Sequence, residues 1–227
     1  GLTPAPPGAA PLLDALAQRF DVVDVRDAES AELLGVELGV DDAFLGLGQH
    51  RVCRPQDVWP DSRSPEVMVC LQSDMNDAGT GAVAGAALSM LRQWHVGAED
   101  VCVVEGIPRV DREVYALIEH ELPGARFLPF VDVWAAGLPV AAAQTWISTR
   151  FHPHLLAAAA GAAGVAISIS PDYYATKHRS LITLGSGWTL MEDLGKVPER
   201  PTAGGFAPET VHRLSRQKRA VAEALYG

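Results

Sequence analysis

The stretch Trp146-Ile-Ser-Thr-Arg-Phe-His-Pro-His154 is where this sequence most visibly sets up chemistry. An apolar run leads straight into Ser148, Thr149, Arg150 and His152, and Pro153 then opens an alanine-rich helical pattern. In an open parallel sheet, ligands sit beyond the carboxyl ends of the strands, so a guanidinium and an imidazole at a strand-to-helix junction stand where a ligand would be. Proline is favoured at the first helical position, which leaves His152 near the N-cap. The helix N-terminus adds free backbone N–H groups and a partial positive charge. The combination suits an anion with a proton donor beside it. Two plainer readings stay open: Arg150 could pair with a buried carboxylate, and His152 could simply cap the helix. His154 has weaker support. No carboxylate or third histidine stands at a helpful spacing from the His152/His154 pair, so no metal site is expected.

Three further places follow predicted strands. Ser170-Pro-Asp-Tyr-Tyr-Ala-Thr-Lys177 carries one of only three lysines in the chain, and a lysine at a helix start is a reasonable phosphate or carboxylate contact. Lys177 could equally be a surface residue, and Tyr173 and Tyr174 could stack on a sugar face or cover the core edge. Val22-Val-Asp-Val-Arg-Asp-Ala-Glu-Ser30 ends a strand pattern in Arg26-Asp27, where Asp27 could cap the next helix and the pair could be a plain salt bridge. The glycine-containing turn 73–81 lacks the Lys-Ser/Thr of a P-loop and the spacing of a dinucleotide fingerprint. Glu105-Gly106 is a similar ligand-facing possibility of low specificity.

These residues need a scaffold that brings strand ends together. From residue 67 onward short apolar runs alternate with helical patterns: strands at 67–71, 101–105, 126–130, 145–149 and 165–170, with helices at 82–94, 111–121, 131–136, 152–160 and 176–184. That alternation predicts an α/β fold with a Rossmann-like, doubly wound parallel sheet and right-handed crossovers. Residues 1–50 read as the tail of a preceding α/β domain, with helices at 12–19 and 28–34, a strand at 20–25 and a strand end at 40–45. Three prolines make 51–65 a linker. Residues 66–205 form the Rossmann-like domain, and 206–227 a C-terminal helix carrying Arg213, Arg216, Lys218 and Arg219. That helix is either a solvated face or packs back across a cleft.

Composition narrows the partners. The 227 residues carry a formal net charge of −10, which repels nucleic acid and anionic lipid. Hydrophobic residues at 48% and charged residues at 20% fit an ordinary globular protein. The longest apolar run, 155–169, is broken by Gly161 and Gly164 and falls short of the roughly 20 residues a membrane span requires. Cys53, Cys70 and Cys102 are scattered without metal or disulfide spacing, which fits a reducing, cytoplasmic setting. The opening residues are not a signal peptide, and without an initiator Met the true start is expected to lie upstream. A homo-oligomer is one arrangement left open.

Taken in order, these pieces resemble the polysaccharide pyruvyl transferase family. Val25-Arg26-Asp27-Ala-Glu-Ser30 matches its strand ending in Val-Arg-Asp with a following serine. Asp41-Asp42-Ala43-Phe44 matches its Asp-Pro-Ala-Phe element, with Asp for Pro. Ile147-Ser148-Thr149-Arg150-Phe151-His152 matches its Ile-Ser-Thr-Arg-Leu-His mark, with Phe for Leu, and Lys177 fits the lysine after the next strand. Gly1-Leu-Thr-Pro4 is similar to an element midway through such proteins, while the family's glycine-rich start is absent. The resemblance implies the C-terminal half of a GT-B-like fold of two Rossmann-like domains, with 66–205 binding the donor. It implies transfer of the pyruvyl group of phosphoenolpyruvate onto two hydroxyls of a sugar or glycan acceptor, forming a ketal, with no cofactor. His152, Arg150 and Arg26 are then the catalytic candidates, His152 as general acid, and Lys177, Ser148, Thr149 and Asp27 the substrate-binding ones. Rivals are a nucleotide-sugar glycosyltransferase or epimerase, with Glu105 on the ribose, and a non-catalytic homologue.

Overall fold

A computed structural model of the chain describes residues 2, 5–47, 52–60, 62–74, 77–169 and 174–227, the last stretch beginning with only the backbone of Tyr174. Gly1 and Pro4, Met75 and Asn76 of the glycine-containing turn, and Ser170 and Tyr173 lie outside the described residues.

The chain begins with helices α1 (Ala10–Ala17), α2 (Ala28–Leu34) and α3 (Ala43–Gly46), then the short strand β1 (Val52–Cys53) and α4 (Pro55–Val58). The alternating part follows as β2 (Val67–Cys70), α5 (Thr80–Gln93), β3 (Val101–Val104), α6 (Arg112–Glu121), β4 (Arg126–Leu128) and α7 (Phe130–Ala136). It continues as β5 (Leu138–Pro139), β6 (Thr145–Ser148), α8 (Phe151–Ala159), β7 (Ala163–Ile167), α9 (Tyr174–Thr183), β8 (Thr189–Met191) and α10 (Pro208–Tyr226).

Six strands form one wholly parallel sheet in the order β4-β3-β2-β6-β7-β8. Starting from β2 the chain winds outward through β3 and β4, then crosses back to β6 and winds the other way. That is the doubly wound order, and it reverses between β2 and β6. The central strands β2, β3, β6 and β7 are buried along their whole length, as a sheet covered on both faces requires. Alternate residues feed two cores. Val67, Val69, Val103, Ile147 and Ile167 pack under α5 and α6, while Met68, Cys70, Val104, Trp146 and Ala166 pack with Leu155 of α8 and Leu214 of α10. Each fully buried aliphatic side chain of this kind contributes about 1.5–3 kcal/mol.

The N-terminal residues join this body: Val40 and Phe44 belong to the second of those cores, and Phe44 lies 6.1 Å from the Phe206 ring. The 51–65 stretch, expected as a linker, contains β1, which pairs in parallel with β5, and a buried Pro55.

Two local expectations need correction. Residues 40–45 are not a strand end: Asp41 accepts a hydrogen bond from the Ala43 backbone N–H, which starts α3 instead. Residues 20–25 form no regular strand; Val25 alone makes an isolated bridge to Leu38, and Phe20 and Val22 are exposed. Two aspartates interrupt this apolar run, so no face of it is continuous enough to bury.

Helix α10 packs on α3. Its Lys218 is buried and ion-paired with Asp24 and Asp42, so the helix crosses back over the N-terminal segment rather than presenting only a solvated face. Burial opposes the Lys218 charge, but the two carboxylates outweigh it and raise its pKa.

Candidate functional site

A cleft of about 1120 Å³ opens above the carboxyl ends of β2, β3, β4 and β6, across the point where the strand order reverses. Arg26, Arg150, His152 and Lys177 all line it, although they come from three separate stretches of sequence. Cys70, Gln72, Glu105 and Gly106 line it beneath them, and Phe130, Val133 and Trp134 of α7 form one side.

Arg150 is the N-cap of α8, two residues past the end of β6. The helix therefore starts earlier than the proline suggests. His152 is its second residue and Pro153 its third, where a missing N–H is harmless because the first four N–H groups have no intrahelical acceptor. Arg150 is also paired with a buried carboxylate, the plainer of its two sequence readings. Its Nε donates to Asp111 Oδ2 at 2.9 Å and its Nη2 to Asp111 Oδ1 at 2.7 Å and Asp74 Oδ1 at 3.1 Å. A guanidinium has five N–H donors, and these three bonds leave the two on Nη1 for a ligand. Burial disfavours its charge, yet the Asp111 contact more than compensates and raises its pKa.

Asp111 anchors more than the arginine. Its side chain is fully buried and accepts backbone N–H groups from Ser73 (3.2 Å), Gly106 (3.2 Å) and Ile107 (2.8 Å). It thus ties together the loops after β2 and β3 and the guanidinium after β6. Gly106 fits this knot because it has no side chain: a Cβ there would stand 2.6 Å from Arg150 Cδ and Nε.

The second knot centres on Asp41. One carboxylate oxygen accepts the Ala43 N–H at 2.9 Å and faces His152 Nε2 at 3.4 Å, and the other accepts from Arg26 Nη1. Burial alone would raise the Asp41 pKa, but hydrogen bonds from His152, Ala43 and Arg26 together hold it well below the usual carboxylate range. The Arg26 guanidinium also stands over the Phe151 ring, its Cζ 4.1 Å from the centroid. With Nε2 directed at Asp41, His152 keeps Nδ1 for the cleft, and its side chain is 58% exposed.

Ser148, Thr149 and Asp27 lie outside the cleft lining. Ser148 and Thr149 are fully buried beneath it. Ser148 Oγ bonds the Cys70 carbonyl (3.2 Å) and the Arg150 backbone, and Thr149 Oγ1 accepts the Gln72 N–H at 2.8 Å, so both brace the β2 and β6 ends. Asp27 is buried and accepts the Ser30 N–H at 2.8 Å as the cap of α2. Glu105 accepts the backbone N–H groups of Arg109 (2.8 Å) and Phe130 (2.9 Å), one on each oxygen, a structural task that fixes α7 over the cleft. Burial pushes the Cys70 thiol up to about 12, which rules it out as a thiolate nucleophile.

Behind α8 is a buried histidine pair. His178 Nε2 lies 3.1 Å from the Thr149 carbonyl, which can only accept, so that nitrogen carries the proton. His178 Nδ1 then accepts from His154 Nδ1 at 3.0 Å, and His154 Nε2 accepts from Ser186 Oγ at 2.9 Å. Both rings are neutral. Burial lowers the His178 pKa to about 4 and that of His154 well below its ordinary value. His154 is therefore a core group bracing the β6 end. Among the described residues no cluster of three or more His, Cys, Asp or Glu side chains is arranged to hold a metal ion. Nor, among them, is any helix long and apolar enough to cross a membrane.

Fold and site define a doubly wound α/β protein with an arginine-, lysine- and histidine-lined cleft at its topological switch point. The sequence profile of the polysaccharide pyruvyl transferase family matches residues 2–171, and the chain belongs to that family. No curated protein matches it. Among solved structures it is similar to a UDP-GlcNAc 2-epimerase from Neisseria meningitidis bound to UDP-GlcNAc, at 9% identity and a TM-score of 0.35. That match covers 74% of this chain and 40% of the epimerase, so the chain spans well under half of that protein's length.

Proposed function

We propose that this chain is the donor-binding half of a GT-B-like enzyme. It transfers the pyruvyl group of phosphoenolpyruvate to a sugar of a cell-surface glycan and forms a pyruvate ketal. The observation that carries the reading is the convergence of Arg26, Arg150, His152 and Lys177 on one cleft in a chain of this family.

Phosphoenolpyruvate presents a phosphate and a carboxylate, and planar guanidinium groups suit both. The open Nη1 edge of Arg150, the Arg26 guanidinium and Lys177 supply cationic contacts, and the first N–H groups of α8 add to them. His152, held by Asp41 through Nε2, gives a proton from Nδ1 to the donor methylene, which becomes the methyl group. A sugar hydroxyl then attacks the oxocarbenium-like carbon and loses its proton to the neutral imidazole. The carbon–oxygen bond to phosphate breaks, the second hydroxyl closes the ketal, and phosphate leaves with the remaining proton. The scheme requires no metal or cofactor. Its three cysteines are free thiols, which suits the cytoplasm as the place of reaction.

The test is NMR of the protein incubated with phosphoenolpyruvate, UDP-GlcNAc and a mixture of pyranosides. Inorganic phosphate appearing together with a ketal methyl singlet supports the reading. Consumption of UDP-GlcNAc instead, or no turnover of phosphoenolpyruvate, contradicts it.

A further inference from the structure

The cleft has an apolar side that the donor chemistry leaves unused. Helix α7 begins right after β4, and its Phe130 and Trp134 stand four residues apart on one face. Their ring centroids are 6.0 Å apart at an interplanar angle of 32°, and both rings line the cleft. Trp134 is 74% exposed. Its neighbour Val133 packs against the core, so the helix is seated and the indole is left standing at the cleft edge. The seat is firm: buried Glu105 holds the Phe130 N–H at 2.9 Å.

The sheet order sets the spacing. β4 lies three places from β6, which at about 4.8 Å per strand puts the aromatic pair about 14 Å sideways from the Arg150–His152 end. That leaves room for the donor beside His152 and one sugar ring between it and α7. A charged floor and an aromatic side in one cleft call for a ligand with an apolar face and a polar rim. A pyranose has both: axial C–H groups on one face and hydroxyls around the edge. We propose that Phe130 and Trp134 form the acceptor subsite, a shelf on which the C–H face of a pyranose stacks while its rim hydroxyls point toward His152. This rests on the reading of the chain as a pyruvyl transferase acting on a sugar.

The experiment is saturation-transfer NMR with methyl β-galactopyranoside and methyl β-mannopyranoside. The proteins are the wild type, Trp134→Ala and Trp134→Phe, with 15N-indole spectra to follow the five tryptophans. Phosphoenolpyruvate calorimetry on the same samples runs in parallel. Trp134 is exposed, so neither variant disturbs the core. The expected result is saturation concentrated on axial C–H protons of at least one pyranoside, with the Trp134 indole signal shifting. Trp134→Ala should weaken binding roughly fivefold, Trp134→Phe should retain most of it, and phosphoenolpyruvate affinity should not change. Absence of saturation for both sugars, or equal saturation in Trp134→Ala, overturns the shelf. So does a concentration-dependent self-association that Trp134→Ala abolishes without any effect on sugar, which would make the indole a contact between copies. Sugar binding that depends on Trp134, without phosphoenolpyruvate binding, keeps the shelf and removes the pyruvyl donor.

Discussion

Arg150 and Asp111 meet edge to edge, Nε on Oδ2 at 2.9 Å and Nη2 on Oδ1 at 2.7 Å, with the carboxylate fully buried. The pair aims the guanidinium across the end of β6 and closes the loops after β2 and β3 around it. Removing Asp111 leaves Arg150 with only its Asp74 contact and takes the acceptor from three backbone N–H groups, which costs about 3–5 kcal/mol. Asp111→Ala should therefore lower the denaturant midpoint strongly, and the double variant Asp111→Ala/Arg150→Met should recover part of the loss. Equal midpoints for Asp111→Ala and wild type would show that the pair stabilises nothing.

Gly106→Ala tests the same knot from outside it. The added Cβ falls within 3 Å of both Arg150 and the fixed Asp111 carboxylate, so the arginine must yield. We expect donor affinity to fall about tenfold and stability to fall by about 1–3 kcal/mol. Calorimetry of phosphoenolpyruvate with this variant checks it, and unchanged affinity would mean that the aim of Arg150 is unimportant.

Asp41 and His152 divide binding from chemistry. His152→Gln should keep phosphoenolpyruvate affinity within a few-fold while lowering kcat by roughly 100-fold or more, as loss of a general acid does. Asp41→Asn should lower kcat by a smaller factor, about tenfold, because the imidazole remains but is less firmly directed. Phosphate release under saturating donor separates the two. A His152→Gln enzyme with unaltered kcat would remove the proposed acid.

Much of this site is legible in the sequence, for a physical reason. Strand ends in a parallel sheet share one edge, so Arg150, His152 and Lys177 had to arrive near one another once the alternation of strands and helices was read correctly. Their partners were not legible. Asp111 looks like an ordinary cap before α6, yet its side chain makes no cap hydrogen bond and turns instead toward an arginine 39 residues on. Asp41 stood inside a recognised family element, but nothing local showed that it faces His152. Ser148 and Thr149 look available in a polar run, whereas strand alternation and the neighbouring β2 bury them. Strands β1 and β5, two residues each, are too short for any periodicity to reveal.

The histidine pair gives a pH prediction. Folded His178 has a pKa of about 4 and His154 one that is also depressed, while unfolded histidines titrate near their ordinary 6.5. Between those values the unfolded chain binds more protons than the folded one, so stability falls as pH drops from about 6.5 toward 4. Tm should be higher at pH 7.5 than at pH 5 by several degrees, and His178→Asn should reduce that difference. A variant with the same pH slope as wild type would contradict it.

The most direct measurement is calorimetric titration of phosphoenolpyruvate into the wild-type chain, Lys177→Ala and Arg150→Ala, with UDP-GlcNAc as the competing ligand. The account predicts saturable phosphoenolpyruvate binding, weakened about tenfold or more by either substitution, and no binding of UDP-GlcNAc. Nucleotide-sugar binding in its place, or phosphoenolpyruvate binding that neither substitution weakens, would contradict the claim that the cations after the strands form a pyruvyl-donor site.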